Sequence, residues 1–173
     1  MKKILISLFF MIPFVAYAQN DQITEVCGVK FGSSLSSAKA ILKDKFGEAD
    51  TQTDDAFLYL HKNYGGIAFD IIAFYFTKSG SKTYLNKVVF SVVNESKAEA
   101  EKERERIAEA VKKKYTLTQK KDSNGNIEYY GGTSPLNSNK YGFFIAMSKT
   151  STFEKYPWEA RLEYGGYGYG EDF

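Results

Sequence analysis

The spacing of apolar side chains divides the chain into two helices and a series of extended runs. Ile23 to Phe31 reads as extended and ends at Gly32. Ser33 and Ser34 then offer hydroxyls to the start of a helix whose apolar residues are Leu35, Ala38, Ile41, Leu42 and Phe46. Steps of three, three, one and four residues keep these on one helical face, and Gly47 closes the helix. After a polar link over 48–55, three extended runs follow at 56–61, 66–77 and 84–93, separated by Asn63-Tyr64-Gly65-Gly66 and Ser79-Gly80-Ser81. In the second of these, Ile67, Phe69, Ile71, Ala73 and Tyr75 alternate with Ala68, Asp70, Ile72, Phe74 and Phe76. Both of its faces are largely apolar, which predicts a strand placed centrally in its sheet.

A second helix is predicted from Glu95 to Lys114. Its acidic first half and terminal Lys112-Lys113-Lys114 complement the helix dipole, and Asn94-Glu95-Ser96 supplies its cap. Ala100, Ile107, Ala108 and Val111 make only a thin apolar stripe, so this helix is expected at the surface. Four more strands follow at 115–120, 126–130, 141–147 and 158–164. In the last, Trp158, Ala160, Leu162 and Tyr164 face one way and Glu159, Arg161 and Glu163 the other. Residues 165–173, rich in glycine and tyrosine, read as a flexible tail. The order predicts an α+β fold of two layers, with two helices packed on an antiparallel sheet. It also suggests two tandem helix-plus-meander halves, over 24–93 and 94–164.

The first 18 residues stand apart. Met1-Lys2-Lys3, the apolar run from Ile4 to Val15 and the exit Ala16-Tyr17-Ala18 have the three parts of a secretory signal peptide. Cleavage near Ala18 predicts an exported protein, periplasmic or extracellular, whose mature part 19–173 forms a single domain without a transmembrane segment. Of the 23 basic residues the leader carries Lys2 and Lys3 and no acid, so the mature chain has as many basic as acidic side chains. A neutral chain is a poor candidate for nucleic acid, whose binding rests on neutralised phosphates. The one cysteine, Cys27, cannot form an internal disulfide and reads as a small buried hydrophobe.

The stretch Val29-Lys30-Phe31-Gly32-Ser33-Ser34-Leu35, the helix end Lys45-Phe46-Gly47-Glu48-Ala49 and the aromatic run Phe57–Tyr59 resemble the SmpA/OmlA and β-lactamase-inhibitor-protein group of small exported helix-plus-meander modules. The resemblance covers 26–93, and the second half shares only the element order. Gly47 is followed by Glu48-Ala49 where that group has a proline, and the inhibitor proteins' cysteine pairs are missing. The resemblance implies a two-layer fold that binds macromolecules through an exposed sheet face, with no catalytic residues to carry over.

Short chemical motifs fare poorly against plainer readings. Ser36-Ser37-Ala38-Lys39 has the Ser-x-x-Lys spacing in which a lysine one turn away could deprotonate a serine, yet a polar first helical turn accounts for it. Asp122-Ser123-Asn124-Gly125-Asn126 alternates oxygen ligands as calcium loops do, but Asn-Gly between extended runs signals a tight hairpin turn. One His and one Cys cannot build a zinc site, and neither a metal nor a cofactor is expected. His61, at a strand end, reads as a solvated turn residue. Asp70 interrupts an apolar strand, so it is either paired within the fold or marks a face open to water.

Aromatic content is the remaining signal. The chain holds 14 Phe, 13 Tyr and one Trp, of which only Phe9, Phe10, Phe14 and Tyr17 lie in the leader. Tyr59, Tyr75, Tyr129, Tyr130, Tyr141, Trp158 and Tyr164 fall on strands, and such side chains anchor interfaces and stack on sugars. The sequence therefore points to a non-enzymatic binding protein of the cell envelope, using an aromatic sheet face against an envelope protein. The alternatives are a surface glycan on the same face, or a small hydrolase around Asp70.

Overall fold

The computed structural model describes residues 21–167; the expected leader, its cleavage point and the last six residues lie outside the described residues. Cys27 and Gly28 turn the first extended run back on itself. β1 (Glu25–Val26) and β2 (Val29–Lys30) form a hairpin instead of one strand. The turn residues have φ of 56° and 83°, and two successive positive φ values match the twist of a two-residue hairpin. α1 (Leu35–Phe46) begins at Ser34, whose hydroxyl accepts the Ser37 N–H, and ends where the Gly47 N–H bonds the Lys43 carbonyl.

β3 (Thr51–Gln52) lies within the expected polar link and is the one added element of the first half. β4 (Ala56–Tyr64), β5 (Ile67–Ser79) and β6 (Lys82–Asn94) follow. α2 (Lys97–Lys112) starts in a capping box: Ser96 accepts from the Glu99 N–H, and the Glu99 carboxylate accepts from the Ser96 N–H. β7 (Leu117–Lys121), β8 (Ile127–Thr133), β9 (Tyr141–Lys149) and β10 (Trp158–Tyr167) are the remaining elements of the described residues. β10 runs through Gly165 and Gly166 to pair Tyr167 with Tyr141, three residues into the segment expected to be a tail.

Among the described residues the main sheet has eight strands in the order β3-β4-β5-β6-β10-β9-β8-β7, every neighbouring pair antiparallel. Each helix is followed by a four-strand meander, and the two meanders meet through their last strands, from Trp158↔Asn94 to Tyr164↔Val88. The centre is therefore the β6–β10 seam and not β5. β5 is apolar on its second side as well because Ile71, Ala73 and Tyr75 stand on the sheet face away from the helices, whatever its rank in the sheet.

Register fixes which side chains share a face. One cross-strand row runs Phe57, Phe74, Val88, Tyr164, Phe143, and the next Tyr59, Ile72, Phe90, Leu162, Ile145, Tyr129. α1 meets this side through Phe46 on Tyr59, with ring centroids 5.3 Å apart. α2 meets it through Glu105, whose carboxylate accepts the Tyr129 hydroxyl at 2.6 Å. Most of the buried core lies between the helices and these rows. α2 is less superficial than its stripe predicts, because Ala100, Arg104, Ile107 and Ala108 are all buried. Arg104 sits within the core boundary with its guanidinium satisfied by Glu105 and the Ile127 carbonyl. At one end of the sheet Ile23 fills a slot whose backing residues are Gly132 and Gly142. Among the described residues no helix is long and apolar enough to cross a membrane.

Candidate functional site

The sheet face turned away from the rows under the helices carries the candidate site. Alternation along β10 puts Glu159, Arg161 and Glu163 on this face, opposite Ala160, Leu162 and Tyr164. Pairing then extends the face outward. Glu163 aligns with Val89, Ala73 and Leu58 on one side and with Phe144 and Tyr130 on the other. Arg161 aligns with Ser91, Ile71 and Leu60 on one side and Ala146 on the other. The result is an aliphatic field on β4, β5 and β6, a charged seam on β10, and an aromatic field on β8 and β9.

The aliphatic field is the most open part. Leu60 and Tyr75 are each 38% exposed, and both count among the exposed large hydrophobic side chains of the described residues. Lys87 stands 4.9 Å over the Tyr75 ring. Partial burial, reinforced by the nearby Glu163 and Glu159, raises the Tyr75 hydroxyl above its ordinary value, so it stays neutral. The aromatic field is a cluster in which Tyr130 meets Tyr141 at 5.3 Å and Phe144 at 6.1 Å. Lys120 lies over Tyr130 and Tyr141, Arg161 lies over Phe144, and the Tyr130 hydroxyl donates to Glu128 at 2.6 Å.

The charged seam is a compensated cluster. Glu163 lies 3.7 Å from the Lys87 ammonium and 3.7 Å from the Arg161 Nε. Arg161 also lies 3.6 Å from Glu159, which accepts a 3.2 Å hydrogen bond from Ser148. The acids sit low and the bases stand high: the Glu163 and Glu159 side chains are 6% and 17% exposed, those of Lys87 and Arg161 37% and 34%.

The residues expected from sequence to form one binding face divide between the two sides. Tyr75, Tyr130 and Tyr141 lie on the open face. Tyr59, 2% exposed, and Tyr164, 8% exposed, are core residues that present no ring to a partner. Burial drives the Tyr164 hydroxyl far above its ordinary value. Tyr129 is half-buried against α2, and its hydroxyl is pushed up to about 12 by burial and by its bond to Glu105. Trp158 follows the alternation of Ala160 and Leu162, so it belongs to the helix side, half-buried under Lys149 at 5.5 Å. The face residues that the strand tyrosines and tryptophan do not flag are Leu58, Leu60, Ile71, Val89 and Phe144. Their signal is the charged alternation of β10, because side chains level with Glu159, Arg161 and Glu163 share the open face.

His61 and Asp70 do meet. His61 is a strand residue with φ of 51°, and its Nδ1 lies 3.6 Å from Asp70 Oδ1. It interrupts the ladder without shifting the register: Leu60 pairs with Ile71 and Lys62 with Phe69 on either side of it, and beyond it Phe69 and Ile67 are buried in the core. His61 is therefore mid-strand and not a strand-end turn residue. The other Asp70 oxygen accepts the Val93 N–H at 2.9 Å, so this acid pairs within the fold.

Cys27 is buried, and desolvation pushes its thiol up to about 12, the opposite of an activated nucleophile. Lys39 bonds the Gln52 side chain at 2.8 Å instead of Ser36. Asp122 folds its own turn, accepting the N–H groups of Asn124 and Asn126 at 2.8 Å each. Among the described residues no three His, Cys, Asp or Glu side chains come together as metal ligands. No protein-family model matches this chain, and neither a curated protein nor a solved structure matches it.

Proposed function

We propose that this is an exported, non-enzymatic binding protein whose single two-layer domain engages a protein of the cell envelope through the open sheet face. The observation that carries the reading is the aliphatic field beside the charged seam: large apolar side chains sit exposed on a sheet face contacted by neither helix. Exposed apolar clusters rimmed by charge mark interaction surfaces in soluble proteins. The leader pattern supports export, and the resemblance to the SmpA/OmlA and β-lactamase-inhibitor-protein modules implies the same use of a sheet. The acids of the site are held in ion pairs or accept backbone N–H groups, which leaves no carboxylate pair poised for hydrolysis.

A direct test is affinity capture of the tagged chain from envelope extract, run beside a Leu60→Glu/Tyr75→Ser double variant. The reading expects one protein enriched by the parent chain and lost with the variant, whose thermal transition is retained. Equal capture by both chains moves the binding surface elsewhere. Enrichment of glycans in place of protein transfers the function to the glycan alternative.

A further inference from the structure

The charged seam specifies the chemistry of what docks on it. Three observations converge on Arg161. Its cross-strand neighbours are Ser91 and Ala146, both small and buried, so its guanidinium rises from a low floor. Both of its acid contacts are longer than a hydrogen bond: the buried Nε lies 3.7 Å from Glu163 and has no acceptor, and Nη1 lies 3.6 Å from Glu159. The seam's outermost groups are its bases, since Glu163 and Glu159 lie deeper than Lys87 and Arg161. An approaching surface thus meets positive charge first although the cluster is balanced.

Resting on the reading of this face as a protein-binding surface, we propose that the partner presents a carboxylate side chain to Arg161, with Lys87 beside it, while its apolar side chains cover Leu60, Ile71 and Tyr75. The planar guanidinium matches a carboxylate in a way that an ammonium does not. The two cations already face two acids, which disfavours a dianion over a single carboxylate. The flanking aliphatic field favours a polypeptide, whose side chains supply both the acid and the apolar contacts.

The test uses short synthetic peptides with Leu and Tyr at alternate positions and one central Glu, together with Gln and Lys counterparts, titrated into the ¹⁵N-labelled chain. The Glu peptide should bind about tenfold tighter than its Gln counterpart, the Lys peptide more weakly still, with amide shifts centred on Ser91, Ala146, Arg161 and Ile71. The Glu preference should shrink with added salt and vanish in Arg161→Gln. Because Arg161→Gln strips a neighbour from Glu163, the Glu-to-Gln ratio on the parent chain stands as a measurement that needs no variant. Equal binding of Glu and Gln peptides at this face overturns the carboxylate proposal and leaves the binding face standing. Binding of none of them at the face overturns both, and a Glu preference that survives Arg161→Gln assigns the charge recognition elsewhere.

Discussion

Asp70 on β5 accepts the backbone N–H of Val93 on β6 at 2.9 Å, just past the last registered pair of the two strands, Ile71↔Ser91. The carboxylate supplies an acceptor where the β5–β6 ladder ends. This explains an acid in an otherwise apolar strand, since a half-buried N–H without an acceptor costs more than the acid does. Asp70→Ala should lower unfolding stability by about 1–2 kcal/mol. Asp70→Asn, which keeps an acceptor, should cost clearly less. Urea denaturation of the three chains measures both, and equal losses would detach Asp70 from Val93.

The alkaline limb of stability should be steep. Burial raises the hydroxyls of Tyr64 and Tyr129 to about 12, and those of Tyr59, Tyr75 and Tyr164 also lie above the ordinary value. Unfolded tyrosines ionise near pH 10 while these remain protonated in the native chain. A raised native pKa means the native state holds the proton longer. Stability is therefore fully present below about pH 10 and falls as pH rises through about 12. Thermal melts against pH, beside tyrosinate absorbance, check this; a flat melting temperature from pH 9 to 12 would contradict it.

Gly142 backs the Ile23 slot. A Cβ there would lie 2.5 Å from the Ile23 side chain and 2.8 Å from the Thr133 carbonyl oxygen. Gly142→Ala should destabilise by about 2–3 kcal/mol through overpacking. Ile23→Ala should recover only part of the loss, because the carbonyl contact stays. A double-mutant cycle by chemical denaturation reads the coupling between the two sites.

Two tyrosines of the predicted face should separate cleanly. Tyr59→Ala removes a buried ring packed on Phe46 and should cost about 3–5 kcal/mol. Tyr75→Ala, at a site 38% exposed, should stay within about 1 kcal/mol of the parent. Calorimetric melting of the two variants compares them, and a Tyr75 variant as damaged as Tyr59→Ala would place Tyr75 in the core.

Periodicity and punctuation carry the helices and most strands of this fold. Leu35–Phe46, with serine before it and Gly47 after it, is written in the apolar spacing, and Asn124-Gly125 marks the β7–β8 turn by its demand for positive φ. Local pattern fails where the deciding partner is distant. Cys27-Gly28 reverses a run that reads as one strand, and β3 exists because Thr51 and Gln52 find the edge of β4.

The candidate site divides in the same way. Chain alternation alone determined that Glu159, Arg161 and Glu163 share a face opposite Leu162 and Tyr164, because successive strand residues point to opposite sides. Which face met the helices was a tertiary matter, decided by register and by Phe46 and Glu105 reaching across to Tyr59 and Tyr129. Tyrosine suits either side of a sheet, so its composition says nothing about which rings are buried. Only the docking of two helices on one side sorted Tyr59 and Tyr164 into the core and left Tyr75 and Tyr141 on the other side with Arg161.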